Sequence, residues 1–522
     1  MDKEQVFSIE GQNDNVVMQK DGAGEYIFTE TSGDYILPDY LPEIRKILKV
    51  TSKVIPAGKF ISGGKAEFAG TVSHTVIYSD GEGRIVSSSQ SSDYEFAVPL
   101  PYESAGVIVS ADSTVDYVSY RLGGPRKISI RTTIKSRVHI FYDNVMSCSV
   151  SDMGDDVEMQ KNLEYSMMTL CNSSAEINLS DTTTLDGYSS DILKIISCDG
   201  RVFVREAMAV QGGVVCRGDV LVKCIYAPDG GNAFSQVRKI PFEDRISIDG
   251  VQPAYNAVAR GICSSIDVSM SAGDGNAQVM IDVVITLDVN CFTNTTLTLI
   301  SDMYSTKCDY ETVYENIEVC RFVGSSLSNF TMDGSTSDTK GETLLSIVDT
   351  DARMDIKEVV SENGKAVAVG NCNVCVLATV ASESPSVQYA SFEFSSPVRF
   401  ESDVKAGPDC KFEWYGEAMS AKARIDTKGI SFNSEGMIWI KATEEKNRKM
   451  LSSATPVAGS EYSKEGQITV CYPSGKTLWD VAKQYRVHPK DVAELNGIST
   501  ESTEVPWTPY SLDGVSSLII EK

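Results

Sequence analysis

Three segments of this chain repeat one strand pattern at intervals of about 150 residues. Each segment is centred on a glycine, at Gly70, Gly218 and Gly370. This period indicates a tandem array of domains, because the repeats of solenoid proteins are only roughly 20–50 residues long. The other residues that fall in common slots are Val72, Ile77 and Tyr78 in the first copy, Val220, Ile225 and Tyr226 in the second, and Cys372, Val374, Val376 and Leu377 in the third.

The residues around these positions are typical of strands joined by tight turns. The longest alternating stretches are 128–140 in the first copy and 279–289 in the second, where apolar side chains recur at every other position. Asp-Gly pairs at 80–81 and 249–250 indicate tight turns. Helical patterns are scarce within the three copies. The sequence therefore predicts a mainly β fold with three tandem β-sandwich-like repeats.

We place the domain boundaries where the strand patterns are interrupted. The three β repeats are predicted to span residues 1–150, 151–303 and 304–442. Residues 443–465 lose the alternating pattern and are interpreted as a linker. Residues 466–522 form a small fourth domain, and a length of 522 residues is itself too great for a single core.

The C-terminal domain is predicted to fold as strand, helix, helix, strand. Thr477 is a good helix N-cap, and Asp480 three residues later completes a capping-box pattern. Pro489 suits the first turn of a second helix, and the pair at 496–497, Asn-Gly, is a typical helix end. Trp479 is expected to pack in the small core of this domain. The pattern predicts a βααβ unit.

The segments 475–482 and 492–497 of this unit resemble the core of a LysM domain. The resemblance implies a small binding module without catalytic residues, usually one that binds N-acetylglucosamine-containing glycans such as peptidoglycan. Two departures from the family pattern favour a protein ligand: Lys476 replaces the usual acidic residue, and Trp507 and Tyr510 lie in a proline-flanked segment. The groove residues that the resemblance implies are Ser474, Gly475, Lys476, Thr477, Leu478, Asn496, Gly497 and Ile498.

The first repeat carries a further resemblance. The segment at 34–50, which reads DYILPDYLPEIRKILKV, and the segment at 118–130 are similar to the opening and closing parts of the SPOCS domain of SipL-type spore proteins. That family combines repeats of this domain with one C-terminal LysM domain. The resemblance implies a spore coat morphogenetic protein, made in the mother cell cytoplasm and assembled on the forespore surface. It also implies a partner, an ATPase scaffold protein of the coat's basement layer.

Charge and composition argue against several classes of partner. Lys and Arg number 47 against 72 Asp and Glu, so the formal net charge is −25, and neither nucleic acid nor an anionic membrane is expected as a ligand. The sequence lacks the run of about 18 apolar residues that a membrane span needs, and its first residues show no signal-peptide pattern. The 13 cysteines are scattered mostly in strand-like segments, which favours reduced and buried thiols.

No motif in the sequence indicates catalysis. The histidines His74, His139 and His488 fall in separate contexts, with His139 on the outward face of its strand, and none accompanies a nucleophile motif. Cys372 and Cys375 form a CxxC pattern, but residues three apart on a strand point to opposite faces. We therefore predict no enzyme activity, no metal and no cofactor.

Three hypotheses about function stay open. The first is a non-enzymatic scaffold of the spore coat or envelope, in which the LysM-like module docks a coat protein and exposed edge strands allow self-association. Linked modules in such a scaffold raise each other's effective concentration. The alternative is a peptidoglycan-binding protein of the cell wall or spore cortex. The third is an enzyme with an unrecognised carboxylate site in the β repeats.

Overall fold

A computed structural model describes most of the chain, and its elements confirm the prediction of a mainly β fold. The two helices among the described residues both lie in the C-terminal unit. The described residues are 14–21, 26–100, 107–150, 154–229, 231–272, 276–381, 388–462, 466–499 and 511–521.

The strands fall into three consecutive groups, followed by the C-terminal unit. The first repeat contains β1 (Asp14–Asp21), β2 (Ile27–Ile36), β3 (Lys46–Ser62), β4 (Lys65–Ser79), β5 (Ile85–Pro99), β6 (Ile108–Gly124) and β7 (Lys127–Val150). The second contains β8 (Val157–Leu185), β9 (Leu193–Val210), β10 (Gly213–Pro228), β11 (Phe234–Ser247), β12 (Asn256–Ala272) and β13 (Ala277–Ser305). The third contains β14 (Tyr310–Thr336), β15 (Leu344–Glu362), β16 (Lys365–Val380), β17 (Gln388–Lys405), β18 (Cys410–Asp426) and β19 (Gly429–Pro456). The C-terminal unit contains β20 (Ile468–Cys471), α1 (Leu478–Tyr485), α2 (Pro489–Leu495) and β21 (Leu518–Glu521).

Each repeat contains two antiparallel sheets with the same strand order. The hairpin sheet consists of three consecutive strands, β3-β4-β5, β9-β10-β11 or β15-β16-β17. In the long sheet, the last strand of the repeat lies between the first and the penultimate strand, as in β8-β13-β12 and β14-β19-β18. In the first repeat β1 and β2 share the place of β8, and both pair with β7. Because β3 lies beside β6, β9 beside β12 and β15 beside β18, each repeat is a sandwich closed along one edge.

Alternating apolar side chains fill the space between the two sheets of a repeat. In the second repeat Val279, Ile281, Val283, Ile285 and Leu287 of β13 are all buried in one core cluster with side chains of the hairpin sheet. The intervening residues of β13 are less buried, as expected for a strand with one face on the core. The period-2 pattern in the sequence thus decides which face of the strand packs inward.

The repeat glycines lie beside β-bulges. Register shifts occur next to Gly70, at Gly218 and next to Gly370, where β4, β10 and β16 pair with the strand that precedes each of them. A Cβ atom on Gly70 would lie 2.5 Å from the carbonyl oxygen of Ile55, and the other two glycines meet the equivalent backbone oxygen of their own repeat. Only glycine allows this close approach of two backbones, which explains the most regular feature of the repeat.

The prediction of a linker at 443–465 is wrong for its first part. Residues 443–456 continue β19 and pair with β14 from Phe322 back to Tyr310. The charged residues of this part of the strand form ion pairs with one another and with β14. Glu444 accepts from Arg321 at 2.7 Å and from Lys446 at 3.0 Å. A strand whose solvent face carries ion pairs loses the apolar alternation that a sequence pattern depends on.

The three hairpin sheets meet around a common axis. Ile77, Ile225 and Leu377, which each follow a repeat glycine by seven positions, are buried in one cluster. The first and third long sheets also join, since β7 and β19 pair in parallel near residues 149 and 453. Equivalent residues of all three repeats therefore converge on one axis, and the repeats pack as three parts of a single body.

Candidate functional site

The C-terminal unit has the predicted strand, helix, helix, strand order. Its two strands pair antiparallel, from Ile468 opposite Glu521 to Cys471 opposite Leu518. Thr477 caps α1 through a capping box with Asp480, as the sequence predicts. The core residues of this unit come from both helices and from β21, and they include Leu478, Trp479, Val481, Ala482, Val492, Ala493, Leu518 and Ile520.

The predicted groove residues divide into structural and exposed ones. Leu478 is almost completely buried, and Thr477 serves as the helix cap. The side chain of Asn496 donates to the carbonyls of Val492 and Ile519, both at 2.8 Å, and accepts from the Ile519 amide at 2.7 Å, so it holds β21 in place. The residues left accessible are Ser474, Gly475, Lys476 and Gly497, with Ile498 half-buried, while Trp507 and Tyr510 lie outside the described residues.

The C-terminal unit is docked on the β repeats through α1. The indole of Trp479 packs edge-on against Tyr304, with ring centroids 5.0 Å apart, and its Nε1 donates to Asp302 at 2.9 Å. Lys483 pairs with the same carboxylate at 2.5 Å. The Tyr304 hydroxyl donates to the carbonyl of Val487 at 2.6 Å. Trp479 is buried as predicted, but it fills an interface between domains as well as the core of its own unit.

A second set of contacts holds the start of α2 and the end of α1. Arg486 pairs with Asp309 in the connection between β13 and β14, at 2.5 Å. His488, the N-cap residue of α2, lies 2.6 Å from a carboxylate oxygen of Glu158 on β8. The docked side of the unit is thus polar at its rim and aromatic at its centre, as in a specific protein interface.

An apolar strip lies on the outer side of the small sheet. Alternation along β20 places Ile468 and Val470 on the face opposite Cys471, and Ile519 of β21 lies across from Val470. Tyr472, directly after the strand, is exposed as well. Their exposed fractions are 75% for Ile468, 52% for Val470, 76% for Tyr472 and 46% for Ile519. We call these four residues the outer strip. Contiguous exposed apolar side chains of this kind mark interaction surfaces in proteins.

A cavity of about 1270 Å³ lies on the axis where the three repeats meet. Lys53, Arg201 and Arg353 line it, one from each repeat. Each of the three lies 17 residues before the repeat glycine and opposite the residue three positions after it. They are therefore the same position of the fold, occupied by a cation in every repeat. We call them the cation ring.

Each member of the cation ring donates to a backbone carbonyl of the next repeat. Lys53 donates to Gly200 at 2.8 Å. Arg201 donates to Ala352 at 2.8 Å and to Ala418 at 3.1 Å. Arg353 donates to Val115 of the first repeat and closes the ring. The ring joins the first repeat to the second, the second to the third, and the third to the first.

A layer of buried ion pairs lies next to the cation ring. Lys49 contacts Asp349 at 3.2 Å and Asp351 at 3.1 Å, and Lys223 contacts Asp349 at 3.0 Å. Burial alone raises the pKa of the Asp351 carboxyl, but Arg201, Lys49 and Lys223 outweigh it and hold that pKa well below its usual range. The layer therefore stays ionised, with each buried charge compensated by a charge from another repeat.

Asp112, His139 and Glu413 form a group with metal-ligand spacing, since one donor atom of each lies within 4.8 Å of the others. Both carboxylates already have cationic partners: Arg260 is 2.5 Å from Asp112, and Lys441 is 2.5 Å from Glu413. Burial raises the pKa of Glu413, but Lys441 and then His139 lower it to about 2. The two carboxylates of the group are therefore part of an ion-pair network with Arg260 and Lys441.

The remaining predicted candidates occupy structural positions. His74 is buried, with Ser52 2.8 Å from its Nδ1 and Ser92 3.2 Å from its Nε2. His139 points away from the core of its own repeat, as its place in the strand alternation predicts, and this outward side is buried against the third repeat. Cys372 lies in the sandwich core and Cys375 faces Lys49 on the other side of β16, as strand alternation predicts.

The family comparison is consistent with this architecture. Residues 191–271 match the family model described as SipL, SPOCS domain. The chain carries a SipL-type SPOCS domain. A comparison with curated proteins finds no match. The matched range holds β9, β10, β11 and nearly all of β12, so the SPOCS match falls in the second repeat, whereas the residues at 34–50 predicted it most strongly in the first.

The SPOCS domain indicates a sporulation-related protein. Neither of the helices that the structure describes is long and apolar enough to cross a membrane. Sequence reasoning missed the axial cavity and its cation ring. A signal was present in the sequence, because Lys53, Arg201 and Arg353 all lie 17 residues before a repeat glycine. Only the structure shows that these three residues line the same cavity.

Proposed function

We propose that this chain is a non-enzymatic assembly protein of the spore coat, in which the three β repeats form a scaffold and the C-terminal unit docks a coat protein. The observation that carries the proposal is the outer strip. The unit buries its polar and aromatic side against Asp302 and Tyr304, and the four apolar residues of the outer strip stay exposed. A module fixed in this orientation presents a preorganised surface, which lowers the entropic cost of binding.

The partner proposed from the family resemblance is the ATPase scaffold protein of the coat's basement layer. Assembly would then take place on the forespore surface, from the mother cell cytoplasm. We retain the division into three repeats at about residues 150 and 303 as part of this proposal, since the long strands β7, β8, β13 and β14 begin or end near these positions. Four linked units give such a scaffold several attachment points with a high effective concentration.

Direct binding of the purified basement-layer ATPase to the immobilised full-length chain tests this proposal. We expect the Val470→Asp, Tyr472→Asp double variant to lose at least about tenfold in affinity, because it places two charges in an apolar contact. Phe60→Asp, which changes an exposed aromatic residue of the first repeat, is the matched control and should bind normally. Equal affinity of the double variant and the unchanged chain would overturn the role of the outer strip.

Peptidoglycan binding is the second candidate, because the accessible residues Ser474, Gly475, Lys476 and Gly497 lie on the two loops that the LysM resemblance assigns to a glycan groove. Sedimentation of the full chain with purified peptidoglycan tests it. Lys476→Ala and Ser474→Ala are the appropriate variants, because Asn496 and Leu478 hold the fold and their replacement would unfold the unit. Glycan binding that these variants weaken, and that the outer-strip variant leaves unchanged, would favour this second function.

A further inference from the structure

Two cysteines of the second repeat face each other across neighbouring strands. Cys198 on β9 lies directly opposite Cys224 on β10 in the strand register. The two Sγ atoms are 2.7 Å apart, with the Cys198 thiol as the donor. Both residues are free cysteines.

The backbone geometry at this pair suits a disulfide. Directly opposed residues of an antiparallel sheet have Cα atoms about 4.5–5.5 Å apart. A disulfide requires a Cα separation of roughly 4.4–6.8 Å. The two strands could therefore be joined through these side chains without a change in their pairing.

The other repeats show that packing does not demand sulfur here. The equivalent pair is Val50 opposite Val76 in the first repeat and Thr350 opposite Val376 in the third. In each repeat the second member follows the repeat glycine by six positions. Valine and threonine side chains are thus sufficient for the fold at this position, and only the second repeat places two thiols there.

Only one of the two thiols is reachable by a small solute. Cys198 is half-buried and lines the axial cavity, whereas Cys224 is almost completely buried behind it. The hydrogen bond from Cys198 lowers the pKa of Cys224, although burial opposes this effect. The same hydrogen bond, together with burial, holds the pKa of Cys198 well above its usual range, so the thiolate of the pair lies on Cys224. Cys198 is the member that a solute meets first, and it reacts by passing its proton to Cys224 across the hydrogen bond.

We propose that Cys198 and Cys224 are an oxidisable dithiol, which hydrogen peroxide entering the axial cavity converts into a cross-strand disulfide. The pair first loses one proton. The Cys198 sulfur then attacks one peroxide oxygen while its proton passes to Cys224, the O–O bond breaks, and the products are a sulfenic acid and hydroxide, which takes up the proton that the pair lost. The Cys224 sulfur then attacks the Cys198 sulfur, and the S–O bond breaks. Its oxygen leaves as water with the Cys224 proton. Two thiols lose two electrons in total, and one peroxide becomes two molecules of water.

The bond would form next to the junction of the repeats. Asp199 and Gly200, which follow Cys198, contact Lys53 of the first repeat, and Lys223, which precedes Cys224, contacts Asp349 of the third. The disulfide would link the two strands that carry these contacts. It would therefore secure the wall of the axial cavity in the second repeat after oxidation.

Peptide mapping of the full-length protein tests this proposal. The folded chain is exposed to graded hydrogen peroxide, remaining thiols are alkylated, and tryptic peptides are analysed without reduction. Arg201 and Arg217 lie between the two cysteines, so trypsin separates them unless they are linked. We expect a linked Cys198–Cys224 peptide, lighter by two hydrogen atoms than the two reduced peptides together, that appears at the lowest effective peroxide concentration and disappears after reduction.

Another opposed pair in the same repeat, Cys171 and Cys291, is an internal comparison. The proposal is overturned if Cys198 and Cys224 stay alkylatable, if Cys198 proceeds to sulfinic acid without a link, or if only the Cys171–Cys291 link forms.

Cys224→Val should abolish the link and leave Cys198 as an over-oxidised residue. Cys216→Val, at a buried cysteine whose strand neighbours are Ala207 and Asp244, is the matched control and should leave the link unchanged. The result for the unchanged chain decides the proposal even if a variant folds poorly.

Discussion

Asp112 and Arg260 occupy the same strand position in two different repeats, and they form an ion pair at 2.5 Å. Each lies three residues before the residue at which β6 or β12 bulges. The third repeat places Tyr415 at this position, and its ring centroid is 4.3 Å from the Arg260 guanidinium. The same position of the fold thus holds an acidic residue in the first repeat, a basic residue in the second and an aromatic residue in the third. These three side chains interact on the axis. The three repeats are therefore complementary and not interchangeable.

We expect Arg260→Asp to destabilise the chain by about 1–3 kcal/mol, because it leaves two half-buried carboxylates facing each other without a cation. The double variant Asp112→Arg, Arg260→Asp restores the pair in reverse and should recover at least half of the loss. Urea unfolding of the single variants Arg260→Asp and Asp112→Arg and of the double variant measures the differences. Additive effects of the two single changes would show that the pair is not coupled.

Lys49→Met is expected to lower the free energy of unfolding by about 3–5 kcal/mol, because Asp349 and Asp351 keep their buried charges and lose a partner. Lys365→Met is the matched control, since Lys365 pairs with Glu401 on the surface. Urea unfolding of the two variants is the measurement, and the control should differ little from the unchanged chain. A similar loss in both variants would contradict the structural role of the ion-pair layer.

Asp302 should make the docking of the C-terminal unit sensitive to acid. Burial raises the pKa of this carboxyl, but hydrogen bonds from Lys483 and Trp479 outweigh it and lower the pKa overall. A carboxyl whose pKa is lower in the folded than in the unfolded state stabilises the folded state at any pH above its unfolded pKa of about 3.9. This stabilisation is lost as the pH falls from there through the folded pKa. Docking should therefore weaken below about pH 4.

Asp302→Asn should remove this acid dependence and weaken docking by about 1–3 kcal/mol at neutral pH, because Lys483 loses its anionic partner. Hydrogen exchange of the α1 amides as a function of pH measures both effects. Glu494→Gln, at an exposed pair with Lys490, is the control and should leave the exchange of α1 unchanged. Retained acid dependence in Asp302→Asn would assign the effect to another group.

Gly218→Ala should destabilise the second repeat by roughly 1–3 kcal/mol, because the added methyl group meets the Phe203 carbonyl oxygen and the ring of Phe242. Gly81→Ala is the matched control, since a methyl group there meets no atom within 4 Å. Thermal unfolding compares the two variants. An unchanged unfolding midpoint for Gly218→Ala would mean that the bulge can relax around the methyl group. The close approach of the two backbones would then not explain why glycine recurs at this position.

Local patterns in the sequence were enough to predict the strand-rich fold, the capping of α1 by Thr477 and the burial of Trp479. The predicted linker failed because residues 443–456 form a strand whose outer face carries ion pairs, and Glu444 and Arg321 give no apolar alternation. The predicted groove was only partly accessible, because Leu478 and Asn496 serve the fold of the unit. In both cases the sequence predicted a side chain free to contact solvent or a ligand, and in the structure that side chain contacts another residue of the chain.

The repeat glycine and the period-2 alternation act within single strands and hairpins, so the amino-acid sequence was enough to predict that one β unit is built three times. The surroundings of the polar faces of those strands depend on how the repeats pack against one another. Alternation separates the two faces of a sheet, but it does not distinguish a face covered by water from one covered by another repeat. His139 and Lys49 belong to the second kind, because their partners are supplied by residues more than 250 positions away in the chain.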